Sequence, residues 1–143
     1  MVYRKFLSLA CLLFAGLYSI SALAGVAVIV HPSNADSSLS SGVVKRIFLG
    51  KKSKFPGGGK VVAIDQSYDS ADRGQFYQKV VGKNSAQMKS YWSKMIFSGK
   101  GVPPESVDDG AAVKDWVAGH AEGIGYIDSS LVDDSVKVVL DIQ

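Results

Sequence analysis

Ser70 and Arg73 come nearest, by type and spacing, to a chemical site in this chain. They lie in the stretch Gln66-Ser67-Tyr68-Asp69-Ser70-Ala71-Asp72-Arg73-Gly74-Gln75-Phe76, directly after the apolar run Val61 to Ile64. A strand that hands over to a helix at this point leaves the first amides of the helix without partners. A hydroxyl and a guanidinium beside such amides suit an anion. The same residues also describe a capped helix. Asp69 or Ser70 then supplies the capping oxygen, Asp72 suits the positive end of the helix dipole, and Arg73 is a solvated surface residue. Asp69 and Asp72 would repel an anion at this helix end, so cradle and cap stand as rival readings.

Other chemistries find little support. His31 and His120 are the only histidines, they fall on separate elements, and no cysteine joins them, which excludes the close three- or four-ligand set a zinc site needs. Ser70 has no histidine base near it in sequence, so nucleophilic catalysis lacks its activating partner. Gly57-Gly58-Gly59 lacks the lysine and hydroxyl context of a phosphate-binding P-loop and reads as a flexible turn. Lys51, Lys52 and Lys54 add positive potential, as a solvated loop does. Trp92 and Trp116, with Phe76 and Tyr91, sit at helical spacing and read as packing. The expectation is a non-enzyme without a cofactor or metal.

The elements that must position Ser70 and Arg73 follow an N-terminal leader. Arg4 and Lys5 precede an apolar run from Phe6 to Ile20, and Ala22-Leu23-Ala24 supplies a small-x-small cleavage pattern. Residues 1–24 therefore read as a secretory signal peptide, too short and wrongly flanked for a stable membrane span, and Gly25 as the first mature residue. The chain is expected in the periplasm or secreted. Cys11, the only cysteine of the 143 residues, leaves with the signal, so no disulfide or thiol remains. Arg4 and Lys5 leave too, and the formal charge of +3 falls close to neutral, which excludes a nucleic-acid footprint.

Residues 25–143 suffice for a single α/β domain. Val26 to Val30 is a buried strand, and Val43, Val44, Ile47 and Phe48 form a helix behind serine caps, with Gly50 as its stop. Lys60 to Asp65 is a second strand and Ser70 to Val81 a second helix closed by Gly82. Asn84-Ser85-Ala86-Gln87 opens a third helix with a capping box, and Asp108 and Asp109 cap a fourth. Gly123 to Ile127 and Val136 to Leu140 are further strands. Alternating strands and helices predict a mainly parallel sheet flanked by helices.

Ile47-Phe48-Leu49-Gly50-Lys51, a strand and QSYDSADRGQF, Gly99-Lys100-Gly101, Asp109-Gly110 and Gly123-Ile124-Gly125-Tyr126 follow one another in an order found in a known family. The chain resembles the phosphate-binding substrate-binding proteins of ABC transporters, the type II periplasmic binding fold. The match runs from about Val26 to a little past Tyr126. It resembles one lobe of a protein that normally has two, so the resemblance implies half of the usual site. In the family this turn presents an arginine and then Ser-Gly-Thr to phosphate. Laid residue by residue, the serine is Ser70, the glycine position is Ala71, the threonine position is Asp72 and the arginine position is Gln66. Ala71 and Asp72 still offer backbone N–H groups, and Arg73 returns a positive charge one position later.

The resemblance implies an exported, non-catalytic binding protein that takes a small oxyanion such as phosphate, weakly or with a second lobe in trans. The alternative is an interaction module whose former cleft face docks a protein partner in the cell envelope. An exposed apolar patch on that face would mark docking; a polar concavity with converging N–H groups would mark a ligand.

Overall fold

The computed structural model describes residues 25–143, and the signal peptide expected over residues 1–24 lies outside the described residues. Among the described residues, five strands and four α-helices follow in the order β1 (Val26–Val30), α1 (Ser41–Phe48), β2 (Val62–Gln66), α2 (Ala71–Phe76), α3 (Ser85–Phe97), β3 (Glu105–Val107), α4 (Gly110–Ala118), β4 (Gly123–Asp128) and β5 (Lys137–Ile142). The sheet order is β3-β2-β4-β1-β5. The result is a mixed α/β fold with a five-stranded sheet flanked by helices, as the sequence predicts.

Strand direction differs from the expectation of a mainly parallel sheet. β2 pairs parallel with β3 and β4, whereas β1 runs antiparallel to both β4 and β5. An apolar run marks a buried strand but carries no sign of its direction. β1 is buried along its whole length because it lies between β4 and β5, with a layer on each face.

Alternation along the strands divides the core. Val26, Val28 and Val30 of β1, with Ile124 and Tyr126 of β4, pack under α1, α2 and α3 together with Phe48, Phe76, Met88 and Trp92. On the other face Ile29, Ile64 and Ile127 pack against Val113 and Val117 of α4. Gly125 lets α4 approach: a Cβ there would lie 2.5 Å from Val113 Cγ1 and 3.0 Å from Ile64 Cγ2.

Helix ends follow their caps. Ser40 accepts from Val43 N–H at 3.2 Å, and the Asn84–Gln87 capping box is closed on both sides. The helix expected from Ser70 to Val81 begins as α2 and continues as a π-helical turn over Tyr77–Val81. Gly82, at φ +76°, ends it and donates to Tyr77 O at 2.7 Å. β3 is not anticipated by the sequence: three half-polar residues carry no strand pattern, and their pairing with β2 makes them a strand. Among the described residues no helix is long and apolar enough to cross a membrane.

Candidate functional site

β2 ends in two polar residues, and both are buried. Asp65 is 4 % exposed and Gln66 1 %. A carboxylate placed there must be paired, since an isolated buried charge is costly. Tyr77 donates its hydroxyl to Asp65 Oδ2 at 2.6 Å, Tyr126 donates to Oδ1, and the Gln66 amide donates to Oδ1 at 2.8 Å. Burial first, and the Asp65 charge second, push both tyrosine hydroxyls far above their ordinary range, so they act only as neutral donors.

Arg73 completes this cluster instead of facing solvent. It is 3 % exposed, with Nε 3.6 Å from Asp65 Oδ1. Its guanidinium carbon lies 3.8 Å from the Tyr68 ring centroid and 4.6 Å from that of Tyr77, so two aromatic faces embrace the charge. Nε and Nη1 are buried without a hydrogen-bond partner, so the aromatic faces and the carboxylate offset their desolvation. The solvated Arg73 of the capped-helix reading is therefore corrected. At position 73 the helix turns its side chain inward, where Phe76 and Tyr77 also point.

Above this cluster lies an open hollow of about 370 Å³, at the carboxyl ends of β2 and β3. Gln66, Ser67, Ser70, Ala71 and Asp72 form one wall, and Asp108, Asp109 and Gly110 the other. The starts of α2 and α4 thus meet across it. Gly110 lies beside α2, where even an added Cβ would sit 3.6 Å from Asp72 Oδ2, an ordinary contact distance. Ser70 is the cap of α2. Its Oγ accepts from Arg73 N–H at 3.3 Å and donates to Gln66 Oε1 at 2.5 Å, while Gln66 Nε2 donates to Tyr126 O at 2.8 Å. Asp109 caps α4 by accepting from Ala112 N–H at 2.9 Å. The first amides of each helix have no intrahelical acceptor.

Of the five residues singled out in the sequence, Gln66, Ser70, Ala71 and Asp72 meet on this hollow, and Arg73 does not line it. No lysine or arginine lines it, whereas Asp69, Asp72, Asp108 and Asp109 do. Burial, and then the Asp128 charge, raise the Asp72 carboxyl above its ordinary value, and a hydrogen bond from the Asp128 backbone draws it part of the way back. Sequence reasoning placed Asp108 and Asp109 on a helix cap but not beside Ser70. Their contribution depends on β3, whose three residues bring the α4 turn alongside the α2 turn. Ligands in open α/β sheets gather at such carboxyl-end crevices. Among the described residues no group of three histidine, cysteine or acidic side chains is placed to hold a metal ion.

No family model matches the chain, and neither does any curated protein. Solved structures do match. A Clostridium perfringens protein assigned as a phosphate ABC transporter substrate-binding protein, solved with phosphate bound, shares 28% identity at a TM-score of 0.67. An ABC-type phosphate transport receptor from Vibrio cholerae shares 18% at 0.65, and PstS from Borrelia burgdorferi 12% at 0.63. Each alignment covers 81% of this chain and between 44% and 46% of the other protein. The chain therefore spans less than half the length of the structures it matches and shares their fold over that part.

Proposed function

We propose that this chain is an exported, non-catalytic binding lobe that takes a small oxyanion such as phosphate in the hollow between α2 and α4. The observation that carries the reading is the convergence of two helix starts on one polar concavity. Free N–H groups and dipole ends of both helices favour negative charge there. The phosphate-bound Clostridium perfringens structure, which aligns over most of this chain, supports the same ligand class. The side chains lining the hollow include Gln66, Ser67, Ser70 and four aspartates and no large apolar residue, which supports a ligand over the docking module of the alternative reading.

The four aspartates limit affinity. Each opposes an anion, and with no cation lining the hollow the amides act alone. Weak binding by the isolated lobe follows, and a second lobe or chain supplying cationic groups in trans would complete the site. A second copy of this chain, face to face, would only add carboxylates.

Calorimetric titration of the purified chain with phosphate and with sulfate tests the reading. Saturable binding with Kd in the millimolar range is expected at neutral pH, tightening in mild acid. Absence of saturable binding of either anion at both pH values would overturn it.

A further inference from the structure

The charged residues of this chain are sorted by layer. Residues 37–64 carry six lysines and arginines and residues 74–104 carry five, with no aspartate or glutamate in either segment. Residues 105–143 carry nine carboxylates against two lysines. The first two segments hold α1, the π-helical turn and α3, which pack on one face of the sheet, and the third holds α4, which packs on the other. Between the two basic segments Asp65 is buried, and Asp69 and Asp72 line the hollow at the end of β2. Asp36 meets the basic layer at its loop, where it accepts from Gly57 N–H at 3.1 Å. One face of the molecule is therefore strongly positive and the opposite face negative.

Apolar groups break the surface of the positive face at one place. Of the four large apolar side chains exposed among the described residues, Ile96, Phe97 and Val102 follow one another where α3 ends, and Phe97 is 95% exposed. The spacing of α3 is the reason. Met88 and Trp92, four residues apart, are buried, and Tyr91 and Met95 pack half-buried beside them. Phe97 falls on another stripe, which it shares with Lys89 and Ser93 at the same spacing. Lys94 and Lys100 lie three residues to either side of it, and both are exposed. Lys83 and Lys94 also line an open hollow of about 420 Å³ with Asn84, Gln87, Ser90 and Tyr91, and no carboxylate lines it.

Three adjoining exposed apolar side chains set among lysines match what an anionic bilayer offers together, apolar depth and negative charge. We propose that this layer is a peripheral attachment surface for a bilayer rich in anionic phospholipid. Phe97, with Ile96 and Val102, enters the boundary between headgroups and acyl chains. Lys89, Lys94 and Lys100 meet headgroup phosphates, and the hollow between Lys83 and Lys94 seats one headgroup. The same surface repels the negative α4 layer, so the chain lies on it in one orientation. Phe97 protrudes at a helix end, which suits a fluid surface better than a folded partner, since the partner would have to supply a pocket for it.

Cosedimentation of the purified chain with vesicles tests this. Binding is expected to vesicles of phosphatidylglycerol mixed with phosphatidylcholine and not to phosphatidylcholine alone, with release in molar salt, where charges are screened. Phe97→Ser should weaken binding about tenfold, the lower end of the effect of burying one phenylalanine. Lys89→Glu combined with Lys94→Glu should abolish it. All three positions are exposed, so the variants should fold as the parent does. Sodium phosphate should displace no more protein than sodium chloride of equal ionic strength, which separates this surface from the oxyanion hollow. The proposal is overturned by no binding to anionic vesicles, by equal binding to neutral ones, by parental binding of either variant, or by selective displacement with phosphate. It is overturned as well by pelleting without vesicles in dilute salt that the lysine reversals abolish, because the occupant would then be the negative layer of a second copy.

Discussion

Arg73 Nε and Asp65 Oδ1 lie 3.6 Å apart, and both side chains are buried. The pair ties the first turn of α2 to the end of β2, directly beneath the hollow. Arg73→Ala would leave a buried carboxylate with only neutral donors. Breaking such a pair by removing one partner costs about 3–5 kcal/mol. Urea denaturation should show that loss, and Arg73→Lys should recover only part of it, because an ammonium does not fill the flat space between Tyr68 and Tyr77. A loss within about 0.5 kcal/mol, the usual surface value, would contradict the burial.

Ser70→Ala separates the two duties of that hydroxyl. The cap on Arg73 N–H disappears, at about 1 kcal/mol, and Gln66 Oε1 loses its donor. Asp69→Ala should change stability far less, since Ser70 and not Asp69 accepts from the first turn. Thermal melts of the two variants decide this, and equal losses would contradict the assignment of the cap.

Much of this arrangement is legible in the sequence because it is local. The caps at Ser40, Ser70, Asn84 and Asp109 and the glycine stops at Gly50 and Gly82 depend on a few neighbouring residues. What was illegible is set at long range. Arg73 reads as a surface residue until Asp65, Tyr68 and Tyr77 are known to surround it, and Asp108 joins the hollow only through the pairing of β3 with β2. One sequence clue was available: Asp65 closes an apolar strand, and a carboxylate in a buried run calls for a partner.

Gly125→Ala tests how closely α4 sits on the sheet. The added Cβ would meet Val113 Cγ1 at 2.5 Å, so helix or strand must shift. Overpacking of this kind costs about 1–3 kcal/mol. The shift would also move the start of α4 away from α2, so sulfate binding should weaken along with stability. A variant as stable as the parent would show that the two layers have room to spare.

The acidic rim makes the hollow pH-dependent, and Asp72 gives the direction. Burial and the neighbouring Asp128 charge raise its carboxyl above the ordinary 3.8. The folded chain therefore holds this proton more tightly than the unfolded chain. The stability it contributes is fully present below the ordinary value and is lost as pH rises through the raised one. Asp128 opposes this, since hydrogen bonds from Ser130 lower its carboxyl. Asp72→Asn isolates the first effect: relative to the parent, its stability should climb with pH across mildly acid conditions and then level off. Sulfate, whose own charge is constant over that range, reads the site directly. Its affinity for the parent should fall as pH rises and Asp72 ionises beside it, whereas Asp72→Asn should bind more tightly at pH 7 and lose most of the dependence. Parallel sulfate profiles for the parent and Asp72→Asn would place the anion away from α2 and remove the hollow from consideration as its site.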